Sequence, residues 1–144
     1  MELGSDIFSY FGLGCRNVSK LYIPQGYDFS VFFKAMEHYS EVMQHNKYMN
    51  NHDYHNTLFL LNSEKFLTNN FLIVRENRGL ATPVSVLHYE YYSDNNELNK
   101  RLKEDEEKIQ CITGKGFIPF GKSQSPALTD YADGVDVLQF LTAV

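Results

Sequence analysis

The run Phe71-Leu72-Ile73-Val74 constrains this chain more than any other stretch, because four consecutive apolar residues leave no polar face for water. A strand of that kind is covered on both sides, as in a parallel sheet with helices on its faces. Val84-Ser85-Val86-Leu87-His88-Tyr89-Glu90-Tyr91-Tyr92 predicts a longer strand over 84–92, rich in β-branched and aromatic residues with part alternation. A third strand is expected over 18–23, closed by Pro24-Gln25-Gly26. Between the first two runs, Arg78-Gly79-Leu80-Ala81-Thr82-Pro83 predicts a loop, with Pro83 restricting the residue before it.

Helical periodicity fills the gaps. Asp28 can cap a helix whose Phe32, Ala35, Met36, Tyr39, Val42 and Met43 follow i, i+3, i+4, i+7 spacing and lie on the sheet, ending near the Asn/His-rich stretch 45–55. A second helix is expected to carry Tyr54, Leu58 and Leu61, although Leu58-Phe59-Leu60-Leu61 also suits a buried strand. Residues 6–11, with Ile7, Phe8, Tyr10 and Phe11 at helical spacing, predict the end of a helix. Residues 97–108 predict a charged, solvated helix in which Glu97 precedes Arg101 and Glu104 precedes Lys108 by four positions. A short strand over 109–112 would carry Cys111, and the Gly/Pro-punctuated stretch 114–121 has Phe117, Ile118 and Phe120 to pack. Ser125 and Pro126 have the identities of an N-cap and first helical residue for a last helix with Leu128, Tyr131 and Ala132, broken at Asp133-Gly134 before an apolar segment over 135–141. Strands alternating with helices predict the α/β class, a mainly parallel sheet flanked by helices in one domain over 1–144.

Composition narrows the partners. A formal net charge of -5 provides no basic stripe for a phosphate backbone, so nucleic acid is not an expected partner. No apolar run approaches the roughly 18 residues of a membrane span. Cys15 and Cys111, with no secretory leader ahead of them, are expected to be free thiols in a reducing, cytoplasmic setting. The sequon Asn17-Val18-Ser19 then carries no glycosylation meaning. Aromatic residues at 15% of the chain supply a bulky core, or the lining of an apolar channel.

The chemistry-bearing stretch is Gly12-Leu13-Gly14-Cys15-Arg16-Asn17-Val18-Ser19-Lys20, a cysteine in a glycine-bearing turn that runs into the expected first strand. Gly12 and Gly14 permit positive φ and close approach of a ligand, so amides around Cys15 can aim at a bound carbonyl oxygen. Two readings stand for that residue, a presented nucleophile and a small buried hydrophobe. His38, His45, His52, His55 and His88 include a pair three apart at His52 and His55, but no third ligand at a metal-binding spacing, so no metal is expected. Gly12 and Gly14 lack a third glycine and precede a strand, which is not a dinucleotide fingerprint, and no P-loop is present. Ser19, Ser123 and Ser125 lack a nucleophile-elbow context.

Gly12-x-x-Cys15-x-x-x-Ser19-Lys20 resembles the catalytic-cysteine signature of the aldehyde dehydrogenase superfamily. More closely, residues 6–20, Asn46-Lys47-Tyr48-Met49-Asn50-Asn51 and the tail 125–136 are similar to segments of the long-chain acyl-CoA reductases of the LuxC type. Pro119-Phe120-Gly121-Lys122 resembles the superfamily's late Pro-Phe-Gly element. Alignment on Pro83-Val84 puts Gly79 and Ala81 where the superfamily carries a glutamate and a phenylalanine against the nicotinamide riboside, so no cofactor-binding residue carries over.

The resemblance implies an oxidoreductase in which Cys15 attacks a fatty acyl-CoA or acyl-protein thioester, holds the acyl group and releases fatty aldehyde after hydride transfer from NADPH. It assigns Gly14 and Asn17, with the Cys15 amide, to the oxyanion or the support of the turn, and Arg16 and Lys20 to stabilising the thiolate. Members of that family are longer and carry their dinucleotide-binding part ahead of the cysteine. The chain is therefore expected to be a carboxyl-terminal, partial catalytic domain that self-associates or pairs with the missing amino-terminal portion and does not turn over alone. The alternative is a catalytically silent module that retains the scaffold.

Overall fold

The computed structural model describes residues 2–131 and 134–143. Four strands form one sheet: β1 (Lys20–Pro24), β2 (Leu67–Thr68), β3 (Ile73–Glu76) and β4 (Val86–Tyr92), in the order β1-β4-β3-β2. β4 runs parallel to both β1 and β3, and only the two-residue β2 is antiparallel to its neighbour. The expected α/β class with a mainly parallel sheet is present.

The apolar runs account for the centre of that sheet. Leu72, Val74 and Leu87 join the larger core cluster with Ile7, Phe8, Phe29, Phe32, Met36 and Tyr48, whereas Ile73 and Val86 pack with Phe59 in a second cluster. Alternation of side chains along a strand puts these two sets on opposite faces, as a strand covered on both sides requires. β3 begins at Ile73 and not at Phe71, because Asn69 Oδ1 accepts the amides of Phe71 and Leu72 at 3.0 and 2.7 Å and holds them in a turn.

Among the described residues there are five α-helices: α1 (Glu2–Phe8), α2 (Phe29–Met36), α3 (Asn46–Leu61), α4 (Asn95–Glu104) and α5 (Val137–Thr142). Asp28 caps α2 as expected, its carboxylate accepting the Ser30 amide at 2.8 Å, and the apolar face continues through a 3-10 segment over Glu37–Gln44. α3 starts earlier than the sequence suggests and takes up most of the Asn/His-rich stretch. His45 Nδ1 caps it by accepting the Tyr48 amide at 3.3 Å, and Tyr48, His52 and Phe59 recur at helical spacing on its buried side.

Two expectations are overturned. Residues 109–112 form no strand: the nearest ladder is an isolated bridge between Thr113 and Ile118, which gives Cys111 no strand neighbour. Ser125-Pro126 opens no helix. Ala127–Asp130 is a turn closed by the Asp130 amide on the Ala127 carbonyl at 3.0 Å, and Leu128, 99% exposed, has nothing to pack against. Ala132 and Asp133, expected to end that helix, lie outside the described residues. Residues 6–11 end a helix as expected: α1 stops at Phe8, and beyond it Tyr10 and Phe11 adopt left-handed φ of 53° and 59°.

The nine residues between β3 and β4 contain no crossover helix. They are pinned instead by Ser19 Oγ donating to the Leu80 carbonyl at 2.6 Å and by the His88 Nδ1 to Gly79 carbonyl bond at 2.8 Å. Val86 N closes a turn on the Pro83 carbonyl at 3.2 Å, which sets Ser85 at φ 66°. Among the described residues no helix is long and apolar enough to cross a membrane.

Candidate active site

Cys15 sits in a four-residue turn closed by the Asn17 amide on the Gly14 carbonyl at 3.0 Å, and it is exposed. The turn leads into β1, while α1 ends close behind it, so two elements with buried faces position the thiol.

Asn17 is the brace of this turn. Its Oδ1 accepts the Gly14 amide at 2.7 Å, and its Nδ2 donates to the carbonyls of Asp6, Ile7 and Ser9 at 2.9, 3.2 and 2.9 Å. Those carbonyls lie at the end of α1 and just beyond it, where intrahelical partners run out; the Asp6 carbonyl also accepts the Val18 amide at 3.0 Å. The side chain that caps α1 therefore also fixes the cysteine turn. Gly14 is needed for the fit, since a Cβ there would lie 2.6 Å from Asn17 Oδ1.

The Gly14 amide is thus occupied, and two others are free. Among the described residues, neither the Cys15 amide nor the Arg16 amide donates a hydrogen bond. Two adjacent free amides in a turn make a concavity suited to an anionic oxygen. Tyr10, Phe11 and Gly12 precede the turn with three successive positive φ angles of 53°, 59° and 75°. Left-handed backbone at non-glycine residues costs about 1–2 kcal/mol each, and such strain concentrates where a site is shaped. It is held here by the Phe11 ring stacked on His45 at 4.0 Å and by the Leu13 amide on the Tyr10 carbonyl at 3.1 Å. Tyr10, Phe11 and Leu13, close to Cys15 in sequence, are all exposed.

Arg16 and Lys20 have different surroundings. Arg16 Nε donates to the Ser123 carbonyl at 2.5 Å, and its Nη2 lies 3.6 Å from Asp130. Its guanidinium therefore lies beside the turn and ties the carboxyl-terminal segment to it. The Lys20 side chain, 4% exposed, pairs with Glu90 and donates to the Arg78 carbonyl at 2.6 Å, so its ammonium is taken up on the sheet. Arg101 Nη1 reaches the same Glu90 carboxylate at 2.9 Å.

Sequence reasoning missed Asp6. This carboxylate, 1% exposed, accepts the amides of Gly121 and Ser123 at 2.7 and 2.9 Å and so binds the Pro-Phe-Gly element to α1 directly beneath Asn17. An isolated aspartate one turn before a helix end carries no local signal for partners that distant. The Cys111 thiol donates to the Arg16 carbonyl at 3.8 Å. Burial holds that thiol above the ordinary cysteine range, with Arg16 opposing the shift and Asp6, Cys15 and Asp130 adding to it.

A cavity of about 20 Å³ lies behind the turn, lined by Gly12, Val18, Ser19, Tyr48 and Ser85 among others. That is the size of one water and far too small for an acyl chain. Cys15 is not among its lining residues.

The β1–α2 crossing does not fit a dinucleotide pyrophosphate. The crossing from β1 to α2 carries one glycine, Gly26, and the Asp28 carboxylate occupies the helix amino terminus where a pyrophosphate would sit. His52 and His55 do not converge with other ligands: His52 contacts Asp53 and Thr68 at 3.2 and 3.3 Å, and no group of three or more metal-binding side chains is found among the described residues. No protein-family model, curated protein or solved structure matches the chain.

Proposed function

We propose that Cys15 is an acyl-accepting nucleophile in the catalytic portion of a LuxC-type long-chain acyl-CoA reductase, an oxidoreductase of the aldehyde dehydrogenase superfamily. The observation that carries this reading is the exposed thiol flanked by two unengaged amides in a turn that Asn17 braces by four hydrogen bonds.

In the proposed step the Cys15 thiolate attacks the carbonyl carbon of a fatty acyl thioester. A new carbon–sulfur bond forms, the bond to the donor's sulfur breaks, and the departing thiolate takes a proton from water. The free amides of Cys15 and Arg16 receive the oxyanion of the tetrahedral intermediate, a contribution of about 3 kcal/mol per donor in well-formed sites. Asn17 and Gly14 hold the turn's shape, and the Arg16 guanidinium adds positive charge beside it. Exposed Tyr10, Phe11 and Leu13 favour an apolar acyl group over a polar one. The reading covers transfer to sulfur, and the hydride step that follows in the family it resembles is assigned to no residue described above.

Incubation with radiolabelled palmitoyl-CoA tests the proposal. Label is expected on the protein, sensitive to hydroxylamine and absent in Cys15→Ala. An unlabelled wild-type protein, or label that persists in Cys15→Ala, overturns it and leaves the silent-module alternative.

A further inference from the structure

The Cys111 thiol reaches the backbone of the cysteine turn. Cys111 Sγ lies 3.8 Å from the carbonyl oxygen of Arg16, the residue that follows Cys15, and both cysteines are free. Consecutive α-carbons are 3.8 Å apart, so the Cys111 sulfur stands within roughly 10 Å of the Cys15 α-carbon. A disulfide needs α-carbons at roughly 5.5 Å, so closure requires the Cys111 segment to shift toward the turn. The two partners differ in freedom. The Cys15 turn is clamped by Asn17 and by Arg16 on Ser123, whereas residues 109–112 belong to neither strand nor helix. The loop after Cys111 closes on itself through the Ile118 amide on Ile112 at 3.1 Å and the Gly114 amide on Ile118 at 2.9 Å.

They also differ in exposure. Cys15 is open to solvent and Cys111 is half-buried against the turn's backbone, the arrangement of an attacked thiol and a resolving one.

We propose that Cys15 and Cys111 are a redox pair, in which a peroxide oxidises Cys15 and Cys111 captures the product as an intramolecular disulfide. In the first step the Cys15 thiolate attacks one peroxide oxygen, the O–O bond breaks, and Cys15 becomes a sulfenic acid while the other oxygen leaves as hydroxide. In the second, the Cys111 sulfur attacks the sulfenic sulfur, the S–O bond breaks, and hydroxide leaves with the Cys111 proton as water. Overall two thiols lose two electrons and two protons, and one peroxide becomes two waters. The pair depends on the two thiols alone and not on acyl transfer, but its closure removes the nucleophile and blocks acylation reversibly.

The test uses the full chain with hydrogen peroxide, read by intact mass and peptide mapping. The expected result is a loss of about 2 Da, a cross-linked Cys15–Cys111 peptide, and recovery of both thiols with dithiothreitol. Cys111→Ser should accumulate Cys15 sulfenic acid, trapped by dimedone, while Cys15→Ser gives neither product. The proposal is overturned if wild type and Cys111→Ser oxidise Cys15 to sulfinic acid equally, or if wild type gives only intermolecular dimers. Palmitoyl-CoA labelling and peroxide oxidation, run on separate samples of the reduced protein, distinguish the two ideas. A protein that cross-links without acylating sinks acyl transfer only, and one that acylates without cross-linking sinks the redox pair only.

Discussion

Asp6 and Ser123, 117 positions apart, meet through a buried hydrogen bond of 2.9 Å from the Ser123 amide to Asp6 Oδ1. The other carboxylate oxygen takes the Gly121 amide at 2.7 Å, so one side chain fastens the segment after residue 119 to the first helix. Asp6→Asn keeps the shape but turns an NH₂ group toward one of those amides. Charged hydrogen bonds of this kind are worth about 1.5–3 kcal/mol and an unsatisfied buried amide costs about 1–3, so a loss of roughly 2–4 kcal/mol is expected. Urea denaturation measures it. Hydrogen exchange locates it, with the Gly121 and Ser123 amides losing protection first, and unchanged protection there would refute the role given to Asp6.

Asn17 supports a second prediction because it donates and accepts at once. Asn17→Ala removes four hydrogen bonds around the cysteine turn, a cost of roughly 2–4 kcal/mol at about 1 kcal/mol per bond. Asn17→Asp should be worse than alanine, since a carboxylate oxygen then faces the carbonyls of Asp6, Ile7 and Ser9. Thermal melts give the ranking, wild type above Ala above Asp. Equal stability of the Ala and Asp variants would show that the carbonyls of α1 are satisfied some other way.

The sheet was legible where one residue pattern decided the outcome. Phe71 to Val74 and the 84–92 stretch have to be covered, and they form the two central strands, displaced only where the Asn69 side chain holds two amides back. Local signals without burial failed. Ser125 and Pro126 have the identities of a helix start, but the residues after them meet no core, and capping alone does not sustain a helix. The opposite error occurred at α3, whose polar composition hid a stripe of Tyr48, His52 and Phe59. In the candidate site, the turn and its cysteine follow from glycine placement. What fixes the turn is Asn17 reaching back to α1 and Asp6 reaching to Ser123, contacts set by tertiary packing that no local spacing announces.

Lys20 and Glu90 give a third prediction. The Lys20 ammonium is buried in a pair with Glu90, and Arg101 shares that carboxylate. Removing one member of a buried pair is costly, although Arg101 keeps Glu90 partly compensated. Lys20→Met, which retains the stem, should therefore destabilise by about 1–3 kcal/mol. Because the charge is engaged on the sheet, palmitoyl-CoA labelling per folded molecule should keep its pH profile. A shift of that profile to higher pH in Lys20→Met would show that the ammonium acts on the Cys15 thiol, as the family resemblance implies.

His88 sets an acid limit to stability. It is buried, and desolvation holds its pKa below the ordinary value, with the Gly79 carbonyl opposing and the charges of Arg75 and Lys20 adding to the depression. His55 is shifted in the same direction by burial. A histidine whose folded pKa is depressed is neutral in the fold while the unfolded chain takes up a proton, so stability rises with pH wherever the unfolded state binds more protons. The contribution is complete above the ordinary histidine value of about 6.5 and declines as pH falls below it toward the depressed value. Urea midpoints measured from pH 8 to pH 5 should be flat at first and then fall. His88→Gln, which keeps a donor for the Gly79 carbonyl, should reduce that slope, leaving the part due to His55. An unchanged slope in His88→Gln would remove His88 as a cause of the acid limit.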